Sequence, residues 1–115
     1  MRRGDVYLVD LNPPRGSEAG KIRPAVVVSN NAANRAAERD GRGVVTVVPI
    51  TSSTTRVYSF QVALPAGTGG LQLASKAQAE QVRSVDIARV RDRLGALPPD
   101  RLVALDVALR LHLDL

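Results

Sequence analysis

The chain has 115 residues, enough for one domain (1–115) with a modest core, and its lack of cysteine excludes both a disulfide framework and thiolate chemistry. Its net charge is +5, and the charged start Met1-Arg2-Arg3-Gly4-Asp5 leads into no long apolar stretch, which predicts no signal peptide or membrane span and a cytoplasmic location. Of the sixteen basic residues all but Lys21 and Lys76 are arginine, and the excess of basic over acidic side chains falls mainly in residues 1–60; this fits a polyanionic partner such as nucleic acid as well as it fits a solvated surface.

Residues 5–10 alternate apolar and polar side chains and predict a first strand. Asn12-Pro13-Pro14-Arg15-Gly16 breaks regular structure, so residues 12–22 form a polar loop. The β-branched run 24–29 predicts a strand buried on both faces or closing a barrel. Residues 30–38 predict a short helix capped by an Asn and ended by Gly41 and Gly43. A strand over 44–50 follows, whose Pro49 predicts an edge or a bulge. The hydroxyl-rich run from Thr51 to Arg56 predicts a loop. Tyr58, Phe60, Val62 and Leu64 alternate and predict a strand over 58–64 with both rings in the core. After a Gly-rich turn (65–70), residues 71–82 supply one or two more strands. Pro98-Pro99 opens a Leu-rich helix with Leu102, Leu105 and Leu109 on one face, and at 109–115 helix and strand periodicities conflict. Five or more short strands plus a C-terminal helix imply a small curled antiparallel sheet or barrel.

The chemistry available is narrow. His112 is the single histidine, so a Ser-His-Asp triad and a His-pair ribonuclease are unsupported. The carboxylates are scattered, with no metal-ligand spacing, and no Gly-rich phosphate cradle joins a strand to a helix. Two polar groups stand at strand ends, Arg23 and Thr51. An Arg fork can neutralise a pentacoordinate phosphorus and a hydroxyl can hold a phosphate oxygen. With RNA the nucleophile is the substrate's own 2′-OH, so in-line attack needs no metal or cofactor and leaves a 2′,3′-cyclic phosphate and a 5′-hydroxyl. Arg is a poor base, so either Arg23 acts electrostatically or a carboxylate such as Glu18 or Glu80 takes the proton. Arg15, Lys21, Arg56, Lys76 and Arg83 are candidate phosphate contacts. With few aromatics, base stacking is not expected to dominate recognition.

Several ordered segments carry a resemblance: Arg3-Gly4-Asp5-Val6-Tyr7, Asp10-Leu11-Asn12-Pro13, Gly16-Ser17-Glu18, Arg23-Pro24 through Ser29-Asn30, Asn34-Arg35, Pro49-Ile50-Thr51-Ser52, and Glu80 through Asp86. In this order and spacing the chain resembles the MazF/PemK (Kid) toxin endoribonucleases of type II toxin–antitoxin systems. The resemblance implies a mainly β (α+β) fold, an SH3-like small barrel of the MazF/CcdB type with a short inserted helix and a C-terminal helix. It implies a homodimer that cleaves single-stranded mRNA, is neutralised by a cognate antitoxin, and binds promoter DNA together with it. Arg23 matches the family's catalytic arginine, Thr51 its catalytic hydroxyl, and Glu18 a loop carboxylate near that arginine. Glu80 and Gln81 fall where some members place a catalytic acid and RNA contacts, and Gln78 stands where one branch has an arginine. Asn30, Ser52 and Ser53 complete the RNA-binding set that the resemblance implies. Two other readings suit the same fold: a non-catalytic nucleic-acid-binding module, and a gyrase-poisoning toxin acting through its C-terminal helix.

Overall fold

The computed structural model describes residues 1–115. Seven strands and two helices follow in the order β1 (Asp5–Asp10), β2 (Ile22–Val27), α1 (Asn31–Asp40), β3 (Val44–Thr51), β4 (Gln61–Leu64), β5 (Ser75–Gln78), β6 (Arg83–Asp86), β7 (Val90–Ala96) and α2 (Pro99–Leu113). Every strand pair is antiparallel, in the order β4-β5-β3-β2-β1-β7, with β6 on β3. Single 3-10 turns at 68–70, 79–81 and 87–89 join the later strands.

β3 is the hinge of this topology. One side pairs with β2; the other takes β6 along Val44–Val47 and β5 at Ile50–Thr51. Pro49 therefore lies inside a central strand, not at an edge or bulge. It falls in the interval between the two partners on that side, where a missing N–H leaves no ladder bond unmade. The sheet curls so that the turn after β4 meets β7. A Cβ at Gly70 (φ +81°) would overlap the Leu94 carbonyl oxygen, so only glycine allows this closure.

Alternation along the strands feeds two apolar clusters. Val6, Val26, Val48, Ile50, Val62 and Leu64 point into one, which α2 caps with Leu105, Ala108 and Leu109. Val9, Ala25, Val27, Val45 and Val47 point into the other, covered by Ala37 of α1 and by Leu11 and Ala19 beside the first loop. β2 is thus buried on both faces, as its unbroken β-branched run predicts.

α1 begins where the Asn30 side chain accepts from the Ala33 N–H at 2.8 Å and ends at Gly41, φ +65°. The buried Asn34 binds the Ser29 hydroxyl and donates to the Ser29 carbonyl at 2.9 Å, fixing α1 against the end of β2. α2 starts with Pro99 and runs through Leu113, so the helical period prevails at the tail, and His112 is an exposed helix residue. Leu105 and Leu109 are core and Leu102 is half-buried.

Two further expectations need correction. The strand predicted over 58–64 begins only at Gln61: the Gln61 side chain accepts from the Tyr58 N–H at 3.1 Å and its own N–H bonds the Tyr58 carbonyl at 2.9 Å, which makes 58–61 a turn. Tyr58 is accordingly 45% exposed and not part of the core. Residues 71–82 hold one strand, β5, within the one or two expected there, and two further strands lie beyond them at 83–86 and 90–96.

Candidate active site

The β2–β3 ladder runs from Val27↔Val47 to Ala25↔Pro49, and Arg23 and Thr51 stand two residues beyond its last pair, one on each strand. Both side chains line one open cleft of about 580 Å³, with Lys21, Ser52 and Ser75 as further polar groups. Its apolar wall includes Leu8, Pro24, Ile50, Leu71 and Leu94, and no acidic side chain lines it. Arg23 is half-buried. Its Nε donates to the Gly20 carbonyl at 2.7 Å, which fixes the plane of the guanidinium. It joins no ion pair, so the two terminal nitrogens have no partner within the chain. The Thr51 hydroxyl accepts from the Ser53 N–H at 3.2 Å, leaving its own proton to donate. A cationic fork and a hydroxyl donor in an acid-free, partly apolar cleft have the chemistry to receive an oxyanion.

The other predicted residues divide by position. Glu18 is exposed and accepts from the Arg15 N–H at 2.7 Å, closing its own loop and not pairing with Arg23. Gln81 uses both ends of its amide on that loop, accepting from the Ala19 N–H and donating to the Ser17 carbonyl, each at 3.0 Å. Glu80 accepts from the Gln61 amide at 2.8 Å, and its second oxygen, like the side-chain oxygen of Gln78, is buried without a partner. Neither Gln78, Glu80 nor Glu18 reaches the cleft wall. Asn30 serves as the α1 cap, and Arg83 stands opposite Val47 on the β6 flank of β3. Lys76 pairs with Thr51 across the ladder, yet it is only 8% exposed and donates to the Arg56 carbonyl at 2.6 Å, so it is a buried cation rather than a free phosphate hook. No three His, Asp or Glu side chains converge anywhere.

Sequence reasoning missed the far wall of the cleft. Gly70, Leu71, Gln72 and Leu73 form it, in the stretch read there as turn and strand. The Gly69-Gly70 pair was the available signal: adjacent glycines before an apolar residue mark a close backbone approach. Gln61, whose amide joins the Tyr58 turn to Glu80, carried no signal at all.

Over residues 2–113 the chain matches the family described as PemK-like, MazF-like toxin of type II toxin–antitoxin system. The chain belongs to that family. It is 57% identical over 115 residues to "Endoribonuclease MazF9" of Mycobacterium tuberculosis (strain ATCC 25618 / H37Rv), covering all of this chain and 98% of that one. Among solved structures it is similar to MazF from Deinococcus radiodurans, with a TM-score of 0.80 at 29% identity over 100% of this chain and 97% of the other. It is also similar to an endoribonuclease in complex with its cognate antitoxin from a Mycobacterial species, with a TM-score of 0.77, 27% identity and coverage of 100% and 96%. The MazF/PemK family is one of RNA-cleaving toxins, and the mainly antiparallel fold with its C-terminal helix is the family's. Several motif residues of the family are structural in this chain. Arg3 donates to the Val28 carbonyl at 2.8 Å and pairs with Asp106 of α2 at 2.7 Å. Asp5, 7% exposed, accepts from the Arg2 N–H at 2.9 Å.

Proposed function

We propose that this MazF/PemK-family endoribonuclease toxin cuts single-stranded RNA with Arg23 and Thr51 as its catalytic pair. The reading rests on one observation: the Arg23 guanidinium is held by the Gly20 carbonyl, carries no counter-charge, and faces a cleft shared with Thr51. Such a fork accepts a phosphate at two nitrogens, and its stabilisation grows as a phosphorane gains charge. Thr51 donates to a non-bridging oxygen. The 2′-oxygen attacks phosphorus in line, the P–O5′ bond breaks, and the 2′-proton leaves to solvent while the 5′-oxygen takes one from water. The products are a 2′,3′-cyclic phosphate and a 5′-hydroxyl.

Glu18 and Glu80 act from outside the cleft: the first closes the loop between β1 and β2, the second anchors the turn before β4 through Gln61. Gln81 supports the first loop in the same way. With no carboxylate in the cleft wall, kcat/KM rises with pH and shows no inflection in the carboxylate range.

The chain works as a homodimer, with Val103, Val107 and Leu111 along the exposed face of α2, each more than half exposed, as the apolar surface available for pairing. A cognate antitoxin with an acidic segment neutralises it by occupying the same basic cleft, and the toxin–antitoxin complex binds promoter DNA. No helix is long and apolar enough to cross a membrane.

Incubating the purified chain with a long transcript, with and without EDTA, and mapping the ends tests this. The expected result is cleavage in both conditions with cyclic-phosphate and 5′-hydroxyl ends. Loss of cutting in EDTA, or 5′-phosphate ends, overturns it.

A further inference from the structure

The chain has only two tyrosines, one phenylalanine and no tryptophan, yet it places two of these rings together outside the core. Tyr58 and Phe60 stack with centroids 5.3 Å apart and planes within 3° of parallel, and Tyr58 remains 45% exposed. The Arg56 guanidinium lies 5.6 Å and the Lys76 ammonium 5.8 Å from the Tyr58 ring centre. An apolar ring in a small domain gains most by burial. Holding this one at the surface, with a second ring and two cations near it, forgoes that gain.

The support beneath it is rigid. The Gln61 amide receives the Tyr58 N–H, the Tyr58 carbonyl receives the Gln61 N–H, and Lys76 donates to the Arg56 carbonyl from below. Lys76 is also the ladder partner of Thr51, so the cation beside the Tyr58 ring belongs to the residue next to that hydroxyl across the β3–β5 ladder. An exposed ring backed by a second ring, with cations beside it, has the chemistry that holds an unpaired base and its phosphate.

We propose that Tyr58, backed by Phe60, is the stacking platform for a base flanking the scissile phosphate. The inference rests on the Arg23 and Thr51 reading for the position of that phosphate. Stacking tolerates any base, so the platform sets affinity and register along the strand rather than reading a letter. Arg56 faces the adjoining phosphate.

The probe is an RNA oligonucleotide centred on one site that the wild-type protein cuts in a long transcript. Tyr58→Phe keeps the ring and leaves KM within about twofold. Tyr58→Leu keeps apolar bulk without the π face; it raises KM about tenfold with little change in kcat, and leaves the salt slope of binding unaltered. Neither variant touches the hydrogen bonds of the turn, which use the Tyr58 backbone and Gln61. An abasic nucleotide at one flanking position raises the wild-type KM about tenfold and adds nothing to Tyr58→Leu, because both remove one contact. A Tyr58→Leu protein with wild-type KM, or abasic and Tyr58→Leu effects that simply add, overturns the platform while leaving Arg23 and Thr51 untouched. A wild-type protein that cuts no RNA overturns the catalytic reading and the platform with it.

Discussion

Arg23, like Lys76 and Arg89, joins no ion pair, whereas three other arginines that cross between elements do. Asp5 takes Arg93, Asp10 takes Arg91, and Asp106 takes Arg3. A guanidinium kept free in this way contributes little to stability and is available to an anion. Arg23→Ala is therefore expected to leave Tm within a degree or two while lowering kcat by about 100- to 1000-fold, the usual effect of removing one oxyanion donor. Arg23→Lys retains the charge without the fork and falls between the two. Thr51→Ala removes one hydrogen bond to a charged oxygen and lowers kcat about tenfold or more, whereas Thr51→Ser keeps most of the activity. Single-turnover kinetics beside thermal melts check all four. At this scale the sequence singled out the two residues that the structure brings to one cleft: eliminating His, Cys and metal chemistry left Arg23 and Thr51, and the resemblance pointed to the same pair. For Gln81 it suggested RNA contact, and the structure adds that both ends of its amide clamp the first loop, which no sequence pattern announces.

The elements explain how two distant residues reach one cleft. β3 changes partner after Pro49, and the residues just past that exchange, Ile50 to Ser52, face the cleft. Across from them, the loop between β1 and β2 is pinned by Leu11 N–H to the Lys21 carbonyl at 2.9 Å and by Gln81 from beyond β5. Gln81→Ala leaves the Ala19 N–H and Ser17 carbonyl without their partner and frees the loop that holds Gly20, the acceptor for Arg23. The expected outcome is a higher KM and lower kcat together, with faster hydrogen exchange at Ala19. Buried alternation made β1, β2, β3 and α1 legible, since each has a face or a cap that the core requires. β7 was not legible: Val90-Arg-Asp-Arg-Leu-Gly-Ala96 lies mostly outside the core at the end of the sheet order, so no apolar period marks it, and its arginines find Asp5 and Asp10 on β1 only after folding. The start of β4 was misplaced for the opposite reason. A clean period ran on into residues 58–60, and a single buried glutamine turned them outward.

At the scale of the whole molecule, closure and charge decide the behaviour. The turn at 68–70 seals the sheet against β7, and Gly70→Ala forces its Cβ into the Leu94 carbonyl at a left-handed backbone position; we expect a loss of about 2 kcal/mol or more by urea denaturation. That contact joins residues far apart in the chain, which is why neither composition nor local pattern announced it. The net charge of +5 brings RNA to the molecule, and the salt dependence of binding counts the phosphates engaged. Arg23→Ala is expected to lower the magnitude of that slope by about 0.7, one phosphate on a single strand, with the remaining slope carried by the other basic residues. The most direct test of the central claim uses an RNA oligonucleotide with one 2′-deoxy nucleotide at the scissile position, measured for binding and for cleavage with the wild-type protein. The account predicts a Kd within about twofold of the all-ribose strand and no product, because Arg23 and Thr51 hold the phosphate while the nucleophile is missing. Cleavage of the 2′-deoxy strand at that position would contradict it.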